Sequence, residues 1–84
     1  MGLERLQAGE REGTQAAPSR DALIAIAFAL EMDVEQTQYL LRTGSHARLD
    51  PRIHRDVAVI FALNRGMDLP ACNDLLYEVG EKTI

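Results

Sequence analysis

The sequence contains an internal repeat whose two copies are 35 residues apart, and this repeat limits the folds that the chain can adopt. Each unit consists of an apolar helix, a Met-Asp turn, an amphipathic helix and a glycine. Because such a unit buries its apolar face against its twin, the sequence predicts an all-α domain of two stacked helical hairpins with four core helices. The clearest matches between the units are Arg20-Asp21 with Arg55-Asp56, Met32-Asp33 with Met67-Asp68, and Leu40-Leu41 with Leu75-Leu76.

The repeat also divides the chain. Leu3 and Leu6 are compatible with a short fifth helix over Met1–Glu12, and a Gly- and Pro-containing linker follows it. The tail after the second repeat, residues 81–84, is expected to be frayed. The predicted divisions are residues 1–18 as the N-terminal helix or flexible linker, 19–84 as the four-helix domain, 20–44 as repeat 1 and 55–80 as repeat 2.

Capping residues and glycines set the predicted helix ends. Ser19 is a good N-cap for the first helix, which we expect to run to about Met32. Nine apolar residues from Ala22 to Leu30 predict that this helix is central and contacted on several sides. Asp33 with Gln36 forms a capping-box pattern for the second helix. The remaining signals are Gly44 as the left-handed end of the second helix, Asp50-Pro51 opening the third, Gly66 ending it, and Asp68 capping a fourth helix that stops before Gly80.

Composition narrows the class of protein. Eighty-four residues form one small domain of marginal stability, for which self-association is a reasonable expectation. The net charge of −4 argues against a generic, charge-driven DNA binder but leaves room for a local basic patch. The nine-residue apolar run is too short to span a bilayer and is not placed as a signal peptide. A cytoplasmic protein without membrane contact is therefore expected.

Three segments carry a family resemblance. They are Leu6-Gln7-Ala8-Gly9-Glu10-Arg11, Pro18-Ser19-Arg20-Asp21 and Leu23-Ile24-Ala25-Ile26-Ala27-Phe28-Ala29-Leu30. In this order they resemble the second half of an XRE-type (lambda-repressor-like) helix-turn-helix domain, and Asp33 to Leu41 is similar to the last helix of that family. Residues 48–80 look like a C-terminal extension found in one bacterial branch of such regulators.

The resemblance implies a transcriptional regulator, with one important departure. The family needs two helices before its recognition helix, and at most Gly2 to Ala8 could be a remnant of the recognition helix itself. The helices that begin the family's domain are expected to be missing here. No complete DNA-reading element therefore carries over, and the resemblance implies a regulatory or assembly module with weak DNA contact at most.

The segment between the repeats is basic. From residue 42 to residue 55, here called the basic connector, four arginines stand against Asp50 alone, a local charge of +3. Two interpretations stay open: the arginines contact phosphate or an acidic partner, or they form a solvated face in which Arg52 pairs with Asp56. The candidate arginines are Arg42, Arg48, Arg52 and Arg55.

No residue pattern points to catalysis, a cofactor or a metal. His46, Asp50 and His54 are spaced by four residues, but Pro51 starts a new helix between the two histidines and separates them. Cys72 lies on an apolar stripe at the repeat position of Thr37, which favours a small core residue over a reactive thiol. We expect a protein that is not an enzyme, with no small-molecule substrate.

Tyr39 and Tyr77 lie near the ends of the second and fourth helices, where half-buried edge positions are expected. Tyrosine is enriched at protein interfaces, so both are interface candidates. They support the alternative to the regulator hypothesis, a protein-interaction or homodimerisation module with no nucleic-acid role. The basic connector discriminates between the two, because DNA contact requires it and dimerisation does not.

Overall fold

The computed structural model of the protein describes residues 17–84. The helices within these residues are α1 (Arg20–Ala29), α2 (Val34–Thr43), α3 (His54–Asn64) and α4 (Leu69–Glu78). α1 packs on α2 and α3 on α4, and the two hairpins join through contacts of α1 with α4 and of α2 with α3. The predicted all-α fold of two stacked hairpins is confirmed. The helix predicted over Met1–Glu12 lies outside the described residues.

Side-chain caps begin three helices as the sequence predicts. The Ser19 hydroxyl accepts a backbone hydrogen bond from the first turn of α1 at 3.0 Å. Asp33 and Gln36 form the complete capping box of α2, with donor–acceptor distances of 2.8 and 3.0 Å. The Asp68 carboxylate accepts from the first turn of α4 at 3.0 Å. These caps satisfy backbone N–H groups that have no partner within their own helix.

The third helix starts later than the sequence predicts. The Asp50 carboxylate accepts hydrogen bonds from the Arg52 backbone N–H at 2.9 Å and from the Arg52 side chain at 3.1 Å. The Ile53 N–H bonds to the Asp50 carbonyl at 2.9 Å, which closes a turn. α3 begins only at His54 and has no side-chain cap. The prediction that Asp50-Pro51 opens this helix is wrong, because the short Asp side chain stabilises the local turn instead.

A residue in the left-handed backbone conformation follows each helix, but after α2 this residue is not the glycine that the sequence predicts. α1 is shorter than predicted, since Glu31 already takes a left-handed conformation at φ 56°. Its repeat counterpart, Gly66, takes φ 67° without a steric cost. After α2 the left-handed residue is Ser45 at φ 63°, whereas Gly44 has φ −82°. The prediction for Gly44 is therefore wrong.

Gly44 is instead required by packing. A Cβ at this position would lie 2.5 Å from Leu23 Cδ1 of α1. The missing side chain lets the end of α2 approach the core of the hairpin closely.

The core uses equivalent positions of the two repeats. Ile24 and Val59 are 0% and 1% exposed, and Thr37 and Cys72 are both fully buried. The Thr37 hydroxyl donates to the Asp33 carbonyl at 2.7 Å, so its burial leaves no polar atom unpaired. Burial raises the pKa of the Cys72 thiol above its ordinary value. Cys72 is thus the small, unreactive core residue that its position predicted.

Two Arg–Asp pairs join the repeats, and each repeat supplies one arginine and one aspartate. Arg20 donates to the Asp56 carboxylate at 3.1 and 2.9 Å. Arg55 donates to the Asp21 carboxylate at 3.0 and 2.9 Å. Because the two arginines are repeat counterparts, as are the two aspartates, an approximate twofold rotation exchanges the pairs. The hairpins are related in the way that two subunits of a symmetric dimer are.

The same arginines hold the segment that follows each hairpin. Arg20 donates to the carbonyls of residues 47–48 at 2.8 and 3.1 Å, and Arg55 to those of residues 82–83 at 2.7 and 3.1 Å. These acceptors are again repeat counterparts. Each guanidinium therefore links a helix N-terminus, the opposite repeat and the end of its own repeat.

Two amides complete the symmetry at the ends of the repeats. The Gln38 amide exchanges hydrogen bonds of 3.0 and 2.7 Å with the backbone of Leu49. The Asn73 amide does the same with the backbone of Ile84, at 3.3 and 2.7 Å. The frayed tail expected at residues 81–84 is wrong, because Asn73 and Arg55 bind it. Within residues 17–84, no helix has the length and apolar character needed to cross a membrane.

Replacing Asp56 with alanine should be strongly destabilising. Asp56 is 2% exposed and accepts three hydrogen bonds, so its loss leaves the Arg20 guanidinium without its charge partner. We expect the free energy of unfolding to fall by about 2–4 kcal/mol in urea titrations followed by circular dichroism. Arg52→Ala is the control: its side chain is 88% exposed, and the change should stay below about 1 kcal/mol. Equal losses in the two variants would contradict the assignment.

Asn73→Ala should release the C-terminal segment without unfolding the domain. The variant removes both hydrogen bonds to Ile84 and leaves its backbone to water. Amide hydrogen exchange should become faster at Ile84, while Glu81, whose N–H bonds to the Leu76 carbonyl, and the amides of α1 and α3 keep their protection. Gln38→Ala serves as the counterpart variant, with the effect moved to Leu49. An unchanged exchange rate at Ile84 in Asn73→Ala would refute the role given to this amide.

Candidate interaction surfaces

The four arginines of the basic connector have different environments. The Arg55 side chain is only 19% exposed and is bound to Asp21 and to the C-terminal segment. The Arg52 side chain is 88% exposed, and its guanidinium pairs with Asp50 at 3.1 Å. The pairing of Arg52 with Asp56 that the sequence suggested is wrong, because Arg20 occupies that carboxylate.

Arg42 and Arg48 are the two connector arginines that face solvent with no carboxylate partner among residues 17–84. The Arg42 guanidinium lies over the Tyr39 ring, 5.9 Å from its centroid. Arg48 contributes its backbone carbonyl to Arg20, and its own side chain is exposed. The positive charge that the connector offers to a ligand is therefore smaller than the sequence count of +3.

Electrostatics agree with a structural role for Arg55. Its hydrogen bonds to Asp21 lower the pKa of that carboxyl below its ordinary value, against the opposing effect of partial burial. The charges of Arg55, Lys82 and Arg20 lower it further. The same pairing raises the pKa of Arg55. Both groups are therefore held in their charged forms over the whole neutral range.

The two histidines lie apart on different segments. His46 Nε2 is 2.8 Å from the Pro18 carbonyl, a contact in which the ring nitrogen donates. His54 is the exposed first residue of α3. Among residues 17–84, no group of three or more His, Cys, Asp or Glu side chains is placed to hold a metal ion.

The two tyrosines are more exposed than the sequence suggested. Tyr39 and Tyr77 are 65% and 80% exposed, so the prediction of half-buried positions is wrong. Tyr39 borders a shallow groove along α2 whose walls are mostly apolar. Their assignment as interface residues stays a prediction. The groove is lined by Met32, Glu35, Gln36, Tyr39, Leu40 and Thr43.

An apolar surface that the sequence did not predict lies on α1. The expectation of a helix contacted on several sides is only partly met, since one side faces solvent. Ile26 is 42% and Leu30 is 63% exposed on that side. With the exposed Ala22 and Ala29 they form a stripe without any polar side chain, here called the α1 outer face. Its signal in the sequence is that Ala22 to Leu30 is apolar at every position of the helix.

The same position on α3 is also exposed and apolar over most of its length. Val57 and Phe61, the counterparts of Ala22 and Ile26, are each 42% exposed, and Ile53, one turn before Val57, is 50% exposed. The counterparts of Ala29 and Leu30, however, are Asn64 and Arg65. The Arg65 guanidinium lies over the Phe61 ring, 4.5 Å from its centroid, and covers part of the apolar surface. Of the two equivalent faces, only the one on α1 lacks polar side chains.

Comparison with other proteins gives no match to a family model, to a curated protein or to a solved structure. The resemblance to XRE-type regulators therefore stays an expectation drawn from the sequence motifs.

The free energy of unfolding should depend on pH through Asp21. Its pKa is lowered on folding, so its contribution is complete above the unfolded pKa near about 3.9 and is lost as pH falls through the lower folded value. We expect wild type to exceed Asp21→Asn in free energy of unfolding at pH 7, and the difference to shrink progressively as pH falls below about 3.9. Urea titrations at several pH values measure it. A difference that persists undiminished in acid would contradict the pairing with Arg55.

Proposed function

We propose that the protein is a non-enzymatic assembly module, related in sequence to XRE-type regulators, that acts through protein contact and makes weak DNA contact at most. The observation that carries the proposal is the α1 outer face. Soluble domains expose isolated apolar side chains freely, but a contiguous apolar stripe on one helix is typical of a surface used for association.

The energetics of this face favour association. Burying a large aliphatic side chain completely is worth about 1.5–3 kcal/mol relative to leaving it in water. Ile26 and Leu30 are 42% and 63% exposed, so each retains a substantial part of that free energy for a partner. No polar group of the stripe has to be desolvated in return.

The charges limit what the basic connector can contribute to DNA binding. Each phosphate contact strengthens DNA binding by releasing counterions, and many contacts are needed for tight binding. Arg55 is committed to the fold and Arg52 shares its charge with Asp50. Arg42 and Arg48 remain, on a chain with net charge −4. This supports weak, salt-sensitive DNA contact rather than sequence-specific recognition.

The second candidate is a protein-interaction module with no nucleic-acid role. Tyr39 and Tyr77 favour it, because both rings are mostly exposed and Tyr39 borders an apolar groove on α2. Exposed tyrosines supply large contact area with little loss of conformational entropy. The two candidates differ only in whether DNA is contacted at all.

Fluorescence anisotropy of labelled duplex DNA discriminates between these functions. We expect a dissociation constant no tighter than about 100 µM at physiological salt, with stronger binding at low salt. Arg42→Glu/Arg48→Glu, which reverses the two exposed connector charges without a carboxylate partner among residues 17–84, should abolish the low-salt binding. Arg65→Glu, which reverses an exposed charge outside the connector, should weaken it only slightly.

The other outcomes are equally informative. Absence of binding even at low salt would favour the module with no nucleic-acid role. Saturable binding with a submicromolar dissociation constant at physiological salt would refute the proposed function, because it would make DNA the main ligand.

A further inference from the structure

We infer that the α1 outer face is where two copies of this chain pair, as a symmetric dimer with the two α1 helices antiparallel. This inference rests on the proposed assembly function and names its surface and partner. The partner is a second copy rather than a charged protein, because the stripe offers no hydrogen-bonding or charged group for such a partner to recognise.

The internal repeat provides a comparison for this face. Both hairpins present the same helix surface to solvent, since Ile26 and Phe61 are equivalent and equally exposed at 42%. On α3 the surface is interrupted by Asn64 and partly covered by Arg65. On α1 the residues corresponding to Asn64 and Arg65 are apolar, so the α1 copy of the surface is apolar along its whole length. This difference favours α1 over α3 as the side that is covered in an assembly.

The spacing of small and large side chains makes the stripe complementary to itself. A twofold axis through Ile26 places this residue against its own symmetry mate. Four residues away on either side, Ala22 of one copy then faces Leu30 of the other, so a large side chain meets a small one at both ends. Antiparallel helices also bring the positive N-terminal end of each dipole beside the negative C-terminal end of the other.

Charge does not oppose the contact at its centre. Each chain carries a net charge of −4, and a surface rich in carboxylates would repel its copy. The stripe carries no charge, and Asp21 at its N-terminal end is neutralised by Arg55. The centre of the contact therefore brings no like charges together, and the exposed Glu31 lies beyond its C-terminal end, directly after Leu30.

The size of the face sets the strength of the dimer. α1 has ten residues and is therefore about 15 Å long, too short to bury the roughly 800 Å² per partner of a standard interface by itself. A weak dimer that forms at high micromolar concentration follows from this. Residues 1–16 of the same chain, with Leu3 and Leu6, are the competing occupant, and the experiment has to separate the two.

Sedimentation equilibrium of the full-length chain tests the inference. Between about 5 and 500 µM, the weight-average mass should rise from that of the 9.3 kDa monomer towards twice that value. Ile26→Ser should weaken association at least tenfold, since a dimer loses the side chain on both sides. Phe61→Ser is the matched control at the equivalent, equally exposed position and should associate like wild type. Circular dichroism checks that both variants fold.

Any of the following results would overturn the inference. The wild-type chain could stay monomeric over the whole range, Phe61→Ser could weaken association as much as Ile26→Ser, or neither variant could change it. Amide exchange identifies the competing occupant: if Ile26→Ser accelerates exchange in residues 1–16 equally at all concentrations, that segment covers the face and the dimer is excluded. A monomeric chain with an uncovered face would leave assembly with another protein as the function, whereas cover of the face by residues 1–16 would remove the observation that carries the proposed function. Tight DNA binding at physiological salt would refute the proposed function independently of the dimer.

Discussion

The rest of the structure depends on the reciprocal pairing of Arg20 with Asp56 and of Arg55 with Asp21. A carboxylate as buried as that of Asp56 is costly unless its charge is matched and its oxygens accept hydrogen bonds, and here both conditions are met. Each guanidinium reaches across to the opposite repeat and back to the end of its own. One type of contact, used twice, thus fixes how the hairpins meet and where the chain after each of them lies.

This pairing also decides which charges remain for a partner. Arginine is suited to such a role because its planar guanidinium can serve a carboxylate and two carbonyls at once. Arg55 does this and is largely buried as a result, although in the sequence it stands in the most basic segment of the chain. The Arg55 guanidinium is therefore used to link the repeats and is not available to contact phosphate. Fewer connector charges therefore remain exposed, and the proposed function relies on the α1 outer face instead.

Local chemistry accounts for the predictions that the structure confirms. Ser19, Asp33 and Asp68 cap helices because a short polar side chain before a helical segment meets unpaired N–H groups wherever the tertiary structure lies. The same chemistry led to a wrong prediction at Asp50, because its carboxylate can accept backbone hydrogen bonds in two different local structures. The Asp50 carboxylate can either cap a helix or accept hydrogen bonds within a local turn. The turn forms here because the Arg52 guanidinium also binds the carboxylate.

The sequence by itself determined the helical class, the duplication and most helix starts, because these follow from spacing and from residues that interact within one turn. Only the tertiary structure decided the partners of the repeated Arg-Asp dipeptides, since residues 36 and 34 positions apart in the chain come together there. It also decided which side of α1 faces water. A helix that is apolar at every position has no polar side to indicate its orientation, so the packing of α2 and α4 against it selects the exposed face.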